Sequence, residues 1–309
     1  MRTYLYDGEA GFEERREWFP DCWVNVQMPD AEDFEFLVKE LHVPDSFLED
    51  IADKDERPRT ETDGDWRLTI LRIPVLSRRG DEPYITVPIG IIFSQEVLVS
   101  VCCYQSEMLP DFIKHAKRRN VAVHSKFEFI FQIIYASTMW FLKYLEQINQ
   151  SVTEAEKKLE KSIRNEDLLR LMRLQKSLVY FNTSLRGNDV MIGKMRTAYR
   201  NTDAYDADLV EDVLIEMKQA YDTVNIYSDI LVGTMDTFAS IISNNVNAIM
   251  KRMTSLSITL MIPTLIASFY GMNVNIHVGD APHAFWWIIL VSAVLSSAAF
   301  VLFRKIKWF

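Results

Sequence analysis

Proline and glycine are scarce in the middle of this sequence, and their absence there is informative. Eight of the ten prolines lie before residue 111, and none follows Pro110 until Pro263. Only three glycines interrupt the same interval. Because both residues destabilise the interior of a helix, the interval is predicted to be a helical region.

Cysteine and positive charge are also in short supply. Cys22, Cys102 and Cys103 show no C-x-x-C spacing and lie in apolar, strand-like segments. We interpret them as buried free thiols, which a reducing compartment allows. The formal net charge is −9, and an acidic chain does not suit a nucleic-acid surface. No nucleic-acid partner is therefore expected.

Sequence motifs of catalysis and export are missing as well. The chain contains no G-x-S-x-G, no phosphate-binding glycine loop and no H-E-x-x-H, so nothing in it indicates an enzyme. The first 19 residues are dense in charge and lack a continuous apolar run, unlike a signal peptide. We expect the N-terminus to be cytoplasmic.

The chain is predicted to have three parts. Residues 1–120 are expected to form a cytoplasmic α+β domain, because helical and alternating patterns both occur there. Two helices are predicted at 29–41 and 44–53. Three strands are predicted at 66–76, 85–93 and 97–104. Residues 121–250 are expected to form a stalk of very long α-helices. The last of these helices begins near Asp206 or Asp208, shows no stop signal before Gly271, and would be roughly 100 Å long.

Residues 251–309 are predicted to form a transmembrane hairpin. The spans lie at about 251–270 and 284–303, and each is close to the ~20 residues that cross a bilayer. Basic residues flank the hairpin at Lys251, Arg252, Arg304, Lys305 and Lys307, whereas the loop 271–283 contains none. By the positive-inside rule, the loop is external and both termini are cytoplasmic. We predict a multi-pass protein of the plasma (inner) membrane.

Polar and thioether residues follow one face of the first span. Their steps alternate three and four residues, at Asn247, Met250, Thr254, Ser257, Met261, Thr264 and Ser268. Helix packing is one explanation of such a stripe. The other is a pore, and since two spans cannot enclose a pore, that explanation requires a symmetric homo-oligomer.

Several segments resemble the CorA family of divalent-cation channels. They are YGMN at 270–273, NAIMKRMT at 247–254, AFWW at 284–287, RKIKWF at 304–309 and LEDIADKDERPR at 48–59. The resemblance covers nearly the whole chain in the same order. It implies a homopentameric funnel that conducts Mg²⁺, and also Co²⁺ or Ni²⁺, into the cytoplasm, with bound intracellular Mg²⁺ closing it.

The same resemblance assigns roles to particular residues. The selectivity filter would be Tyr270, Gly271, Met272 and Asn273. The pore lining and gate would be Asn247, Met250, Met253, Thr254, Ser257, Met261 and Thr264, with Met253 where many relatives have leucine. Regulatory Mg²⁺ would bind Asp212 and Asp236, opposite Asp81 or Glu82.

The outer loop departs from the family pattern and keeps alternatives open. Many relatives have an acidic Met-Pro-Glu stretch after G-M-N, whereas this loop has His277, Asp280 as its only carboxylate, and His283. Imidazoles suit Zn²⁺, Ni²⁺ or Co²⁺ better than Mg²⁺, so a proton-linked Zn²⁺ transporter of the same superfamily is the first alternative. A membrane scaffold or sensor without transport is the second.

Overall fold

The computed structural model of the chain describes residues 1–8, 11–77, 81–116, 126–161, 164–200, 206–272, 283–306 and 308. The chain divides into two compact units, Met1–Thr234 and Met235–Phe309. The division falls inside a helix, so the two units share that element.

The first unit is built on a seven-stranded sheet of order β2-β1-β3-β7-β6-β5-β4. Its strands are β1 Arg2–Gly8, β2 Gly11–Arg15, β3 Trp23–Gln27, β4 Arg59–Asp63, β5 Trp66–Leu76, β6 Tyr84–Phe93 and β7 Leu98–Cys102. Neighbouring strands are antiparallel except β3 and β7, which are parallel. The three predicted strands are present as β5, β6 and β7. The other four were not predicted as strands, although the segment of Cys22, next to β3, was noted as strand-like.

A buried polar chain joins β3 to β7 at their parallel pairing. The indole Nε1 of Trp23 donates to Ser100 Oγ at 2.8 Å, and that hydroxyl donates to Asn25 Oδ1 at 3.0 Å. All three residues are almost fully buried. Because each buried polar group has a partner, the polar residues fix the register of β3 without an unsatisfied hydrogen bond.

Two short helices, α1 (Ala31–Lys39) and α2 (Asp45–Ala52), cover one face of the sheet. Asp30 caps α1 by accepting from the Asp33 backbone, and the Asp33 carboxylate accepts from Asp30 N in return. This capping box satisfies donors that a helix start leaves free. Apolar residues of α1 and α2, including Leu37 and Phe47, share one core with alternate residues of β3, β5 and β7.

Three further helices pack on the other side of the first unit. They are α3 (Met108–Lys114), α4 (Lys126–Lys161) and α5 (Asn165–Tyr199). Phe112 and Phe129 meet Trp23 edge-on, with ring centroids 5.9 and 5.0 Å away. Hydroxyl pairs also tie α5 to β6, where Ser184 Oγ donates to Thr86 Oγ1 at 2.8 Å.

An asparagine of α5 completes the edge of β5. Strand β4 begins at Arg59, opposite Ile70, so it offers no backbone partner to Arg72. The side chain of Asn188 takes that place, because its Oδ1 accepts from Arg72 N at 2.9 Å and its Nδ2 donates to Arg72 O at 2.8 Å. Asn188 thereby fixes α5 on the sheet.

The remaining helices are α6 (Ala207–Tyr270), with 64 residues, and α7 (Ala284–Lys305), with 22. Helix α6 continues through Pro263, although a proline inside a helix removes a backbone hydrogen bond. The structure confirms the predicted fold class: an α+β domain, long helices and a C-terminal pair of apolar helices. The domain boundaries at 120 and 250 stay predictions.

The cysteines are free, as predicted. Cys22 and Cys102 are buried, whereas Cys103 is partly exposed. Burial raises the pKa of the Cys102 thiol to about 12, which keeps it protonated and unreactive at neutral pH.

Candidate ion pathway

The predicted pore-lining residues lie on α6 within the second unit, and all of them are exposed in the single chain. This holds for Asn247, Met250, Met253, Thr254, Ser257, Met261 and Thr264. The methionines are among the most exposed, with Met253 at 66% and Met261 at 63%. A thioether left this exposed loses the burial that would stabilise it, so this face of α6 is available to a partner or to an aqueous pore.

The hydroxyls of the stripe can bond to their own helix. Thr264 Oγ1 donates to Leu260 O at 3.2 Å, four residues earlier. A threonine that satisfies its donor in this way still presents an oxygen acceptor and a methyl group. The stripe is therefore weakly polar, and between Met253 and Tyr270 it contains no charged side chain.

The outer end of α6 forms a turn at the predicted filter. Tyr270 is the last helical residue, and Gly271 N donates to Ala267 O at 2.9 Å. Met272 N reaches Phe269 O at 3.4 Å, and Met272 is 54% exposed. The other predicted outer residues, Asn273, His277 and Asp280, lie outside the described residues.

The apolar surfaces of α6 and α7 are uncovered. Only 6% of the most apolar stretch of each helix is buried. Large exposed side chains of α7 include Phe285, Trp286 and Trp287, at 66%, 68% and 61%. A core helix of a soluble protein buries such residues, whereas a membrane span exposes them to lipid. Two helices are thus long and apolar enough to cross a bilayer.

The predicted regulatory carboxylates do not form a metal site within one chain. Asp81, Asp212 and Asp236 are exposed, and among the described residues no group of three or more His, Cys, Asp or Glu side chains could hold an ion. Asp81 and Asp212 belong to the first unit, and Asp236 belongs to the second. A site made from them needs ligands from elsewhere.

Glu82 is already paired in the single chain. The Lys176 ammonium on α5 lies 3.1 Å from Glu82 Oε1. The hydrogen bond from Lys176 is the main reason that the pKa of Glu82 lies below its ordinary value. The sequence analysis missed Lys176, because 94 residues separate the two and no local pattern links them. Of the two candidate regulatory carboxylates in this loop, the exposed Asp81 is therefore the better candidate to bind a metal ion, because Glu82 already forms an ion pair.

Comparison with known proteins identifies relatives over nearly the whole chain. A family model described as "CorA-like Mg2+ transporter protein" matches residues 21–305. The cobalt/magnesium transport protein CorA of Methanocaldococcus jannaschii is 27% identical over 305 residues, which are 97% of this chain and 94% of that protein.

Solved structures show the same fold. The complete CorA magnesium transporter from Methanocaldococcus jannaschii superposes with a TM-score of 0.84 at 21% identity, covering 100% of this chain and 99% of that one. The full-length CmaX protein gives a TM-score of 0.72 at 16% identity, with coverage of 100% and 98%. At these identities the likeness establishes the fold.

An α+β unit followed by two uncovered apolar helices fits a membrane protein, and the family match makes it a transporter rather than an enzyme. The chain belongs to the CorA-like Mg²⁺ transporter family, because the family model covers residues 21–305. This confirms the resemblance noted in the sequence. The roles of individual residues stay predictions.

Proposed function

We propose that this protein conducts Mg²⁺, and also Co²⁺, into the cytoplasm through a homopentameric pore lined by α6. The observation that carries the proposal is the stripe on α6, whose seven residues from Asn247 to Ser268 are all exposed in the single chain. In one protomer these side chains are not covered by other parts of the described chain. Five copies around an axis would turn this face into the wall of a pore.

The chemistry of the stripe suits a hydrated divalent cation. Mg²⁺ loses its water ligands reluctantly, so a pathway that hydrogen-bonds the hydration shell serves it better than one that replaces it. Amide oxygens of Asn247 at the inner end and Asn273 at the outer end would act in this way. Met250, Met253 and Met261 would form apolar constrictions between them that close by losing water.

The orientation of the protein in the membrane is inferred from the basic residues at the ends of its two spans. Lys251 and Arg252 precede the first span, and Arg304 and Lys305 end α7. By the positive-inside rule we propose that the protein lies in the plasma membrane with both termini in the cytoplasm. In that orientation the first unit samples intracellular Mg²⁺.

Intracellular Mg²⁺ would close the channel by binding between protomers. Asp81, Asp212 and Asp236 are exposed in one chain, which leaves their carboxylates available to a site completed by a neighbouring copy. A bridge of this kind holds adjacent protomers together when Mg²⁺ is abundant. Its loss would release them and open the pore.

Ion flux into proteoliposomes tests the proposal. The purified protein should admit Mg²⁺ and Co²⁺ down their gradients, with Ni²⁺ tested beside them, and a proton gradient should not change the rate. Asn273→Ala should reduce the flux, whereas Leu290→Ala, on the exposed surface of α7, should leave it unchanged.

Two outcomes would contradict the proposal. Flux of Zn²⁺ that exceeds that of Mg²⁺ and depends on a proton gradient would favour the zinc transporter. Absence of flux of every ion, in protein that is folded and oligomeric, would favour a scaffold or sensor.

A further inference from the structure

A cleft in the first unit lies apart from the proposed ion pathway. It has a volume of about 600 Å³ and lies between the loop 55–58, strands β5 and β6, and one face of α5. We call it the loop–α5 cleft. Its lining residues are Asp55, Glu56, Arg57, Pro58, Arg72, Thr86, Val179, Tyr180, Thr183, Ser184, Arg186, Gly187 and Val190. Pockets that bind small molecules have volumes in this range.

The charge of the cleft is opposite to that of the chain. Three guanidinium groups line it, from Arg57, Arg72 and Arg186, against the carboxylates of Asp55 and Glu56. Glu56 is paired with Arg59, which is not a lining residue. Within the part of the chain that the structure describes, none of the three lining arginines forms an ion pair. The cleft therefore keeps an excess of positive charge in a chain whose net charge is −9.

Arg72 is held rigidly at the base of the cleft. Its Nη1 donates to Lys54 O and Glu56 O, both at 2.9 Å, and its Nη2 donates to Thr86 O at 2.7 Å. Nε donates to Thr86 Oγ1 at 3.3 Å. All of these acceptors are neutral, so the guanidinium is ordered by hydrogen bonds and not by an ion pair, although the carboxylates of Asp53, Asp55 and Glu56 lie near enough to favour its charge. One of its five donors is left for a ligand.

An apolar wall stands beside the guanidinium groups. Val179, Tyr180 and Val190 lie along one face of α5, where they are 54%, 42% and 56% exposed. Gly187, on the same face, lets α5 approach Pro58, since a Cβ there would lie 3.0 Å from Pro58 Cγ. The cleft thus combines an aromatic ring and aliphatic side chains with fixed positive charge.

We propose that the loop–α5 cleft binds a nucleoside phosphate. Guanidinium groups match phosphate oxygens in charge and in bidentate geometry, which assigns the phosphate to Arg57 and Arg186 with Arg72 behind them. A planar base gains most by contact with an exposed ring and aliphatic neighbours, which assigns it to Tyr180 and the two valines. The cleft would make the transporter responsive to the nucleotide pool.

Direct binding to the full chain tests the proposal. Isothermal titration in detergent, without Mg²⁺ and with a chelator present, would compare AMP, ADP and ATP with adenosine and with inorganic phosphate. At least one nucleotide should bind saturably. Adenosine and inorganic phosphate should each bind at least about tenfold more weakly, because adenosine lacks the phosphate contacts and inorganic phosphate lacks the base contacts. The chelator removes any effect of Mg²⁺–nucleotide complexes.

Substitutions in the exposed part of the cleft localise the site. The double variant Arg57→Gln/Arg186→Gln should weaken nucleotide binding by at least about tenfold, as expected for lost charged hydrogen bonds. Arg173→Gln is the matched control, since Arg173 is exposed on the same helix and does not line the cleft. Its binding should equal that of the wild type.

Three results would overturn the proposal: no nucleotide binding by the wild type at millimolar concentration, equal binding by the double variant, or inorganic phosphate binding as tightly as the nucleotides. A double variant that loses its oligomeric state, measured by light scattering, would instead assign the cleft to an interface between copies. Binding is measured without transport, so a failed flux assay leaves this test intact.

Discussion

The hydrogen bonds between Asn188 and Arg72 predict a large loss of stability on a single substitution. Asn188 is only 1% exposed, and its amide satisfies both the N–H and the C=O of Arg72. Asn188→Leu would keep a side chain of similar size but leave both backbone groups without partners. Each buried unsatisfied group costs about 1–3 kcal/mol, so we expect a destabilisation of about 2–6 kcal/mol.

Thermal unfolding of the full chain in detergent measures this effect. For a unit of this size a loss of 1 kcal/mol lowers Tm by about 2–4 °C, so Asn188→Leu should lower it by at least about 4 °C. Tryptophan fluorescence can report unfolding of the first unit, because that unit holds four of the seven tryptophans, among them the fully buried Trp23. Asn188→Ala would show the same direction of change without an added apolar side chain.

Asn182→Leu is the matched control on the same helix. Asn182 donates to Asn225, and both residues are only partly buried, so water can replace the lost bond. We expect a cost below about 1 kcal/mol. If Asn182→Leu lowered Tm as much as Asn188→Leu, the backbone groups of Arg72 would not be the cause, and the reasoning would be refuted.

Three further predictions follow from the packing, the charge pair and the proposed gate. Gly90→Ala should destabilise the first unit by about 1–3 kcal/mol, because its Cβ would overlap the buried Ile51 side chain, and adding Ile51→Val should recover part of the lost Tm. The hydrogen bond from Lys176 lowers the folded-state pKa of Glu82, so its contribution to stability is present above the ordinary value of 4.5 and is lost as the pH falls below it. The Tm difference between wild type and Glu82→Gln should therefore shrink in acid, and a constant difference would count against the pair. Asp212→Ala or Asp236→Ala should leave Mg²⁺ flux less inhibited by internal Mg²⁺, with Glu211→Ala as the control, and unchanged inhibition in both variants would remove them from the gate.

The sequence predicted the helical part of the fold because its signals are local. Runs without proline or glycine and apolar stretches of about 20 residues specify α4 to α7 without reference to the rest of the chain. The same is true of α1, where Asp30 and Asp33 form a capping box within four residues. Strands β6 and β7 were predictable because they form one antiparallel hairpin across the short turn at 94–96.

The missed strands depend on contacts between distant residues. Strand β3 pairs in parallel with β7, about 75 residues away, and its Asn25 is buried against Ser100. A polar residue in a short segment argues against a buried strand until its partner is known. Strands β1 and β2 carry exposed charged residues such as Glu13 and Glu14, so no apolar alternation marks them.

The residues of the candidate site could be predicted from the sequence, but the contacts between distant residues could not. The stripe on α6 follows from helical spacing alone, and the structure places every described member of it on an exposed face. The pairing of Glu82 with Lys176 and the closure of β5 by Asn188 both come from α5 lying on the sheet. The helical spacing of α5 does not say which strands the helix contacts, so neither contact could be expected from the sequence.

The most direct test of the central claim asks whether one face of α6 lines the ion path. Met261 and Leu256 are 63% and 52% exposed in the single chain, yet five residues separate them, which is about 140° around a helix. Proteoliposomes with Met261→Cys or Leu256→Cys would be treated with a charged, membrane-impermeant thiol reagent during Mg²⁺ flux, and the wild type would control for the native cysteines. The account predicts that the reagent blocks flux in Met261→Cys and leaves Leu256→Cys unaffected. Equal sensitivity of the two variants, or block of Leu256→Cys alone, would contradict it.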